Sequence, residues 1–375
     1  MRRLLVAALL LPALLAVPAS AQQAEFPRPS LPKGADPNDW ESYYTYGVDV
    51  IMRASSKADA AFYWAMRLDP TRAEPIYGRW VAFWMNDISE FPDYIDGSPR
   101  VLEDPHIIAS DSLRYRAWLR NPMVNQALLV LLYQKAGASL SESPANRGWI
   151  AYANGFYPRA IDYFTTAVRA TPDRVWYRYD LAVVYSQIGR YDSAVSEITQ
   201  LLDAMEKTDQ KQLVYFYESK EMYQYAVGLL NAARGYMGAA RAAQEKALQE
   251  NLAFAPAHAA LGQLAAARRD PEGAVTEYGL AVELAPKDAV MHQRYAEALL
   301  RADQPKDALP EAQKTAQLEP FWADAYVTLG DAYIALADTA HAVTAYGDYL
   351  KRAPLRSAEK IATVKDRLAK LGKSP

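Results

Sequence analysis

The feature that most constrains this 375-residue chain is a spacing of 34 residues near its C-terminal end. Pro286, Pro320 and Pro354 follow one another at that interval. Small and aromatic residues recur in the same order ahead of the prolines: Gly262, Ala274 and Tyr278 in one copy, and Gly330, Ala342 and Tyr346 two copies later. A fixed period of this length predicts a stack of helix-turn-helix units, each contacting mainly its neighbours.

The same period extends towards the N-terminus and divides 141–356 into six units, interrupted by a 12-residue insertion near 209–220. Small residues occupy two fixed positions of every unit. The eighth positions are Gly148, Ala182, Gly228, Gly262, Ala296 and Gly330, and the twentieth positions are Ala160, Ala194, Ala240, Ala274, Ala308 and Ala342. Two helix axes approach closely only where no bulky side chain intervenes, so these positions predict the crossing point inside each unit.

These residues resemble the tetratricopeptide repeat family. The resemblance implies an all-α fold, a right-handed superhelical solenoid of helix-turn-helix repeats whose first helices line a concave groove. It also implies a binding scaffold, without naming the ligand. The family's chaperone-tail clamp uses asparagine and lysine at groove positions, where this chain has Gln187, Gln263 and aromatic residues. We therefore expect no clamp of that kind.

The pattern changes at both ends of the six units. Residues 39–140 predict degenerate helical repeats. Within them, residues 87–104 contain prolines and a glycine that break a helix, so this stretch is expected to be a loop. That loop is acidic, but its spacing fits no complete calcium-binding loop. Residues 357–375 predict a capping helix with one apolar stripe. Pro310 lies inside an expected second helix, which should therefore start late or kink.

The N-terminus predicts export. A basic pair at 2–3 precedes an apolar run over 4–17, and small residues at 19–21 form a cleavage signal before Gln22, so 1–21 are expected to be a signal peptide. The alternative is a membrane anchor. Cleavage would leave a formal charge of −5 and no integral membrane segment. In a two-membrane bacterium the location would be the periplasm, with peripheral attachment to a membrane left open. Residues 22–38 contain four prolines and predict a flexible lead-in.

Composition and motifs argue against several classes of function. The chain has no cysteine, and its formal net charge of −3 suggests no broad basic face for nucleic acid. Nucleophile-elbow, phosphate-loop, zinc-helix and dinucleotide motifs are absent from the sequence. The four histidines are not spaced as a local metal site. We therefore predict no catalytic residue, no metal and no cofactor.

Aromatic residues concentrate at the groove positions of the N-terminal half. In the family these positions lie on the first helix of each unit and face the concave surface. The candidate binding residues are Trp84, Tyr115, Trp118, Trp149, Tyr152, Trp176, Tyr179 and Tyr225. From Ala255 onward the same positions are small or polar. Aromatic rings suit peptide or sugar recognition, so binding is expected in the N-terminal half. The alternative is that these rings pack neighbouring helices.

The leading functional hypothesis is a periplasmic scaffold that binds a protein or peptide partner of the cell envelope in its groove, without catalysis. A second hypothesis is a carbohydrate-binding envelope protein that stacks peptidoglycan or exported polysaccharide on Trp84, Trp118, Trp149 and Trp176. A third, an enzyme in the degenerate N-terminal part, has no readable catalytic constellation to support it.

Overall fold

The computed structural model describes residues 26–72, 74–76, 78–79, 82, 143–212 and 220–372. The predictions for the signal peptide at 1–21, the loop at 87–104 and the rings of Trp84, Tyr115 and Trp118 lie outside the described residues.

The described residues are helical, without a strand among them. Fifteen α-helices have described bounds: α1 Trp40–Val50, α2 Ser55–Leu68, α3 Pro144–Ala153, α4 Tyr157–Ala170, α5 Trp176–Gln187, α6 Tyr191–Gln212, α7 Lys220–Ala233, α8 Met237–Glu250, α9 Ala255–Ala267, α10 Pro271–Leu284, α11 Ala289–Arg301, α12 Pro305–Leu318, α13 Ala323–Ala335, α14 Thr339–Arg352 and α15 Ala358–Lys370. A short 3-10 helix, Leu355–Ser357, precedes α15.

Helices α3 to α14 pair into six successive hairpins, and each hairpin packs on the next. This is the all-helical repeat fold that the 34-residue period predicts. Helix α6 is 22 residues long, whereas α4 and the later second helices have 14, so α6 takes up part of the inserted sequence. Helix α15 buries Val364 and Leu368 against the last hairpin and covers its apolar face.

The small residues lie where the two helices of a hairpin cross. A Cβ added at Gly148 would lie 2.9 Å from the ring of Phe164, and one added at Gly262 would lie 3.0 Å from the ring of Tyr278. In both hairpins the glycine and the ring are 16 residues apart. Gly228 faces Gln244 and Gly330 faces Tyr346 in the same way. The six alanines of the twentieth positions are at most 1% exposed: Ala160, Ala194, Ala240, Ala274, Ala308 and Ala342.

Pro310 does not shorten its helix. Helix α12 begins at Pro305 and continues through Pro310 to Leu318, so the expectation of a late start is wrong. A proline inside a helix removes one backbone hydrogen bond. Ala308 and Ala312 on the same helix are fully buried, and this packing offsets the lost bond.

The lead-in is packed from Phe26 onward, which corrects the expectation of a flexible segment. The Phe26 ring lies 4.9 Å from the ring of Tyr63, and its carbonyl accepts a 2.9 Å hydrogen bond from Nε1 of Trp64. Nε of Arg28 donates to the Tyr43 hydroxyl at 2.9 Å. These contacts tie the segment to α1 and α2. We call residues 26–72 the N-terminal clasp, because they also contact the far end of the array.

The clasp meets the last two hairpins through side chains and loops. Arg67 pairs with Glu319, which follows α12, and the Trp64 ring meets the Phe321 ring edge-on at 4.9 Å. A second group of contacts joins the start of the clasp to the end of α14 and the segment just beyond it. The two ends of the described chain are therefore in contact.

Candidate functional site

The predicted aromatic positions of the N-terminal half are mostly buried. Trp149 is 9% exposed and Tyr179 is 3% exposed. The Tyr179 ring meets the ring of Tyr223 on the next first helix edge-on at 5.5 Å, and Tyr225 meets Phe254 at 5.6 Å. At Trp149, Tyr179 and Tyr225 the structure thus supports the packing alternative, because their rings fill the space between successive hairpins and have little surface left for a ligand.

Two other predicted positions differ from these three. Trp176 is 43% exposed, with the guanidinium of Arg174 lying 5.8 Å from its ring centre. Tyr152 is half-buried and lies 5.7 Å from the ring of Tyr157. Among the described residues of the predicted set, Trp176 is therefore the ring with an open face.

A buried carboxyl accompanies the rings. Asp180 on α5 is buried, and its Oδ2 accepts a 3.2 Å hydrogen bond from Nε1 of Trp149. Burial raises the pKa of Asp180 to about 7, because the charged form loses its water, while the indole N–H acts in the opposite direction. Asp180 holds the Trp149 ring in place, a role that the repeat pattern did not reveal.

The groove is open in the C-terminal half. A cavity of about 440 Å³ lies between α11, α13 and the N-terminal clasp. Its lining is mainly polar: Asp69, Thr71, Arg72, Gln293, Arg294, Glu297, Arg301, Trp322, Asp324, Val327, Thr328, Asp331 and Lys360. We call it the C-terminal cavity.

The repeat itself builds two walls of this cavity. Gln293, Arg294, Glu297 and Arg301 fall on one face of α11, because residues three and four apart stack along a helix. The α13 wall contains the residues one period later, for example Asp331 in the place of Glu297. The two faces lie side by side as first helices of adjacent hairpins.

Charges in the C-terminal cavity are paired. Arg294 and Glu297 are 3.0 Å apart, and Lys360 reaches Asp324 at 2.8 Å. Arg72 pairs with Asp69 at 3.1 Å within the clasp. A cavity with balanced charge attracts neither a strong anion nor a cation, and it suits a segment that offers both donors and acceptors.

A buried amide joins the two groove walls. Nε2 of Gln293 donates to Oε1 of Glu297 at 2.9 Å and to the hydroxyl of Thr328 on α13 at 2.5 Å. Gln293 is 3% exposed, and all three residues of the bridge line the cavity. The bridge thus links α11 directly to α13 at the cavity.

The small or polar groove positions from Ala255 onward include Gln293, Glu297 and Asp331, whereas the predicted binding residues lie in the other half. The clasp residues Asp69, Thr71 and Arg72 were missed altogether. Their approach to the groove spans more than two hundred residues, and no repeat or motif in the sequence signals a contact of that range.

No helix in the described part of the chain combines the length and the apolar content needed to cross a membrane. Two models of the tetratricopeptide repeat match the chain, at residues 146–205 and 323–354. A curated relative, the Hsp70-Hsp90 organizing protein of Triticum aestivum, is 35% identical over 109 residues, which are 27% of this chain and 19% of that protein. The matched part thus spans about a fifth of that relative.

Solved structures also align with this chain. The MamA structure aligns with a TM-score of 0.40 at 18% identity, covering 47% of this chain and 90% of MamA. YrrB, described as a TPR protein with an unusual peptide-binding site, aligns with a TM-score of 0.41 at 18% identity, covering 51% of this chain and 92% of YrrB. The C-terminal part of a TPR repeat-containing protein from Cytophaga hutchinsonii aligns with a TM-score of 0.47 at 17% identity, covering 60% of this chain and 83% of that structure. The six stacked hairpins and the two family-model matches together show that this chain contains tetratricopeptide repeats.

Proposed function

We propose that this protein is an exported adaptor that binds a peptide segment of a protein partner in the C-terminal cavity, without catalysing a reaction. The observation that carries the proposal is the cavity of about 440 Å³ on the groove face of α11 and α13. Its volume lies within the range of about 300 to 1,000 Å³ that is typical of ligand sites.

The lining favours a peptide over other ligands. A peptide backbone presents an N–H donor and a carbonyl acceptor at almost every residue. The cavity offers guanidinium and ammonium donors from Arg294, Arg301 and Lys360, and carboxylate acceptors from Glu297 and Asp331. We expect a segment with polar or mixed-charge side chains, since the charges of the lining are already paired.

Two further observations support an adaptor. The wheat relative is named as an organiser of two other proteins, and it is 35% identical to this chain over 109 residues. Residues 1–21 have the features of a cleaved signal peptide, so we propose that the adaptor acts in the periplasm, on a partner of the cell envelope.

The carbohydrate alternative is less well supported. Stacking a glycan chain requires several open aromatic faces in a row, and Trp149, one of the four tryptophans of that hypothesis, is buried. Trp176 alone does not form such a row, and the other two tryptophans lie outside the described residues. We therefore propose the peptide ligand.

Capture from envelope extract tests the function. The mature protein, the double variant R294E/R301E and the control R241E are immobilised in parallel. Arg294 and Arg301 are half-exposed or more on the cavity wall, whereas Arg241 is an equally exposed arginine of α8 that pairs with Glu245. The same stoichiometric protein should be recovered with the unmodified chain and with R241E, and its recovery should fall by about tenfold or more with the double variant.

Two results would reject the proposal. Equal recovery by the double variant would show that the partner binds elsewhere. Recovery of no protein, together with binding of purified glycan strands, would favour the carbohydrate alternative.

A further inference from the structure

A buried ion pair joins the N-terminal clasp to the C-terminal hairpins. Nε of Arg67 lies 2.8 Å from Oε2 of Glu319, and both side chains are less than a tenth exposed. Nη1 of Arg67 also donates to the Tyr63 hydroxyl at 2.9 Å, and its guanidinium lies 5.3 Å from the ring of Phe321. A buried charge is costly without its partner, so this joint is stable only when the clasp is docked.

The clasp also binds backbone groups beyond the last repeat. Helix α14 ends at Arg352, and the last carbonyls of a helix have no partner inside it. Nδ2 of Asn38 donates to the carbonyl of Lys351 at 3.0 Å, and Oδ2 of Asp36 accepts from the N–H of Leu355 at 2.6 Å. The start of the clasp thus satisfies backbone groups at the end of α14 and just beyond it.

Charge complementarity strengthens this edge. Arg356 pairs with Asp39 at 3.0 Å and with Glu41 at 2.8 Å, and its guanidinium lies 5.5 Å from the ring of Trp40. The acidic start of the clasp therefore faces a cation that follows the last repeat. Such half-exposed pairs are weak singly but set the orientation of docking.

The docked clasp is one wall of the C-terminal cavity and leaves it open. Asp69, Thr71 and Arg72 line the cavity together with the groove faces of α11 and α13. Arg72 is held by Asp69 and lies 5.0 Å from the ring of Trp40. The third wall is therefore built from side chains that are fixed within the clasp itself, and the volume between the walls stays free for a ligand.

We propose that the clasp and the C-terminal groove form a composite peptide-binding site, in which docking of the clasp and binding of the partner segment reinforce each other. A peptide that touches both walls is bound more tightly when both are present. By linkage, the bound peptide stabilises the docked clasp by the same factor. This inference rests on the proposed function and adds to it the coupling between the two ends of the chain.

Docking is tested first, without any ligand. Because the chain has no cysteine, the variant D36C/L355C has a single pair that can form a disulfide. We expect oxidation to give an intramolecular link and a monomer on a non-reducing gel. Adding R67E should lower the yield of the link by about tenfold, and adding both R67E and E319R should restore it. A yield unaffected by R67E, or links formed solely between two chains, would overturn the docking.

Coupling is tested with a pooled library of random decapeptides as the probe. The disulfide-locked protein should retain at least as much peptide as the unmodified chain, and R67E should retain about tenfold less, with recovery in R67E/E319R. Equal or greater retention by R67E would overturn the composite site, because the clasp would then cover the groove. If no protein retains peptide while the intramolecular link forms normally, the proposed function fails together with the coupling, and the docking stands.

Discussion

The two halves of the repeat array use the same groove positions in opposite ways. In the N-terminal half, α3, α5 and α7 carry Trp149, Tyr179 and Tyr225, whose rings fill the space between successive hairpins. In the C-terminal half, corresponding positions hold Gln293 and Val327, and a cavity of about 440 Å³ remains. Large aromatic side chains at the groove positions therefore fill the groove, whereas the C-terminal cavity lies where these side chains are smaller or polar.

The turns inside the hairpins differ as well. In the N-terminal half the second residue after each first helix is a glycine with positive φ, between 74° and 80°: Gly155, Gly189 and Gly235. In the C-terminal half it is another residue with φ between 57° and 60°: Arg269, Asp303 and Ala337. A left-handed backbone costs a residue with a Cβ roughly 1 to 2 kcal/mol. The more regular half thus has the more strained turns.

The largest effect expected from this comparison is at Trp149. Replacing it with alanine should lower the free energy of unfolding by about 3 to 5 kcal/mol, because a buried ring is lost and a cavity remains. The matched variant W176A removes an exposed ring and should change the free energy of unfolding by less than about 0.5 kcal/mol. Urea unfolding followed by circular dichroism measures both. Equal effects would contradict the assignment of one ring to the core and the other to the surface.

The next effect depends on pH and tests the buried carboxyl. Burial raises the pKa of Asp180 in the folded chain to about 7, above the ordinary value of 3.8. Between these two pH values, Asp180 keeps its proton in the folded chain and loses it in the unfolded chain. Stability therefore falls as pH rises through this window. D180N should be more stable than the unmodified chain by on the order of 2 to 4 kcal/mol at about pH 8 and nearly equal to it below about pH 4. A difference that does not vary with pH would contradict the pKa shift.

A pair of glycines in the last hairpin gives the third prediction. G330A places a Cβ against the Tyr346 ring and should cost about 1 to 3 kcal/mol. G347A, on the second helix of the same hairpin, has no described atom within 4 Å of the new Cβ and should stabilise α14 by about 0.5 to 1 kcal/mol. Thermal unfolding should show opposite shifts, and shifts of the same sign would contradict the close crossing at Gly330.

The smallest effect concerns the turns. A337G relieves a left-handed residue and should stabilise the C-terminal half by about 0.5 to 1 kcal/mol. G189A makes the reverse change in the N-terminal half, where no described atom lies within 4 Å of the new Cβ, and should destabilise by about 1 kcal/mol. Hydrogen exchange of the neighbouring helices reports both changes. A loss of protection in A337G would show that the turn is not strained.

The fold was predictable because its signals are local and repeated. Gly262 faces Tyr278 and Gly330 faces Tyr346 at the same spacing, so a period read from the sequence also gives the contact inside the hairpin. The direction of a groove residue was predictable too, but its exposure was not. Whether Tyr179 is open depends on Tyr223, a ring of the next unit that covers it.

The clasp could not be predicted, and the reason is the range of its contacts. Arg67 and Glu319 are 252 residues apart, and Asp36 and Leu355 are 319 apart. Neither pair follows the 34-residue period. The prolines of the lead-in suggested mobility, whereas Phe26 and Arg28 anchor that segment to the rings of α1 and α2. Proline content alone does not show what a segment packs against.

Site-specific photo-crosslinking tests most directly which half of the groove binds the partner. A photoreactive phenylalanine analogue is placed at Arg294 on the wall of the C-terminal cavity in one protein and at Trp176 in the other, two positions of similar exposure at about half. Both proteins are irradiated in envelope extract. We expect a specific partner adduct at position 294 and none at 176. An adduct at position 176 alone would contradict binding in the C-terminal cavity and would show that the partner binds in the aromatic half of the groove.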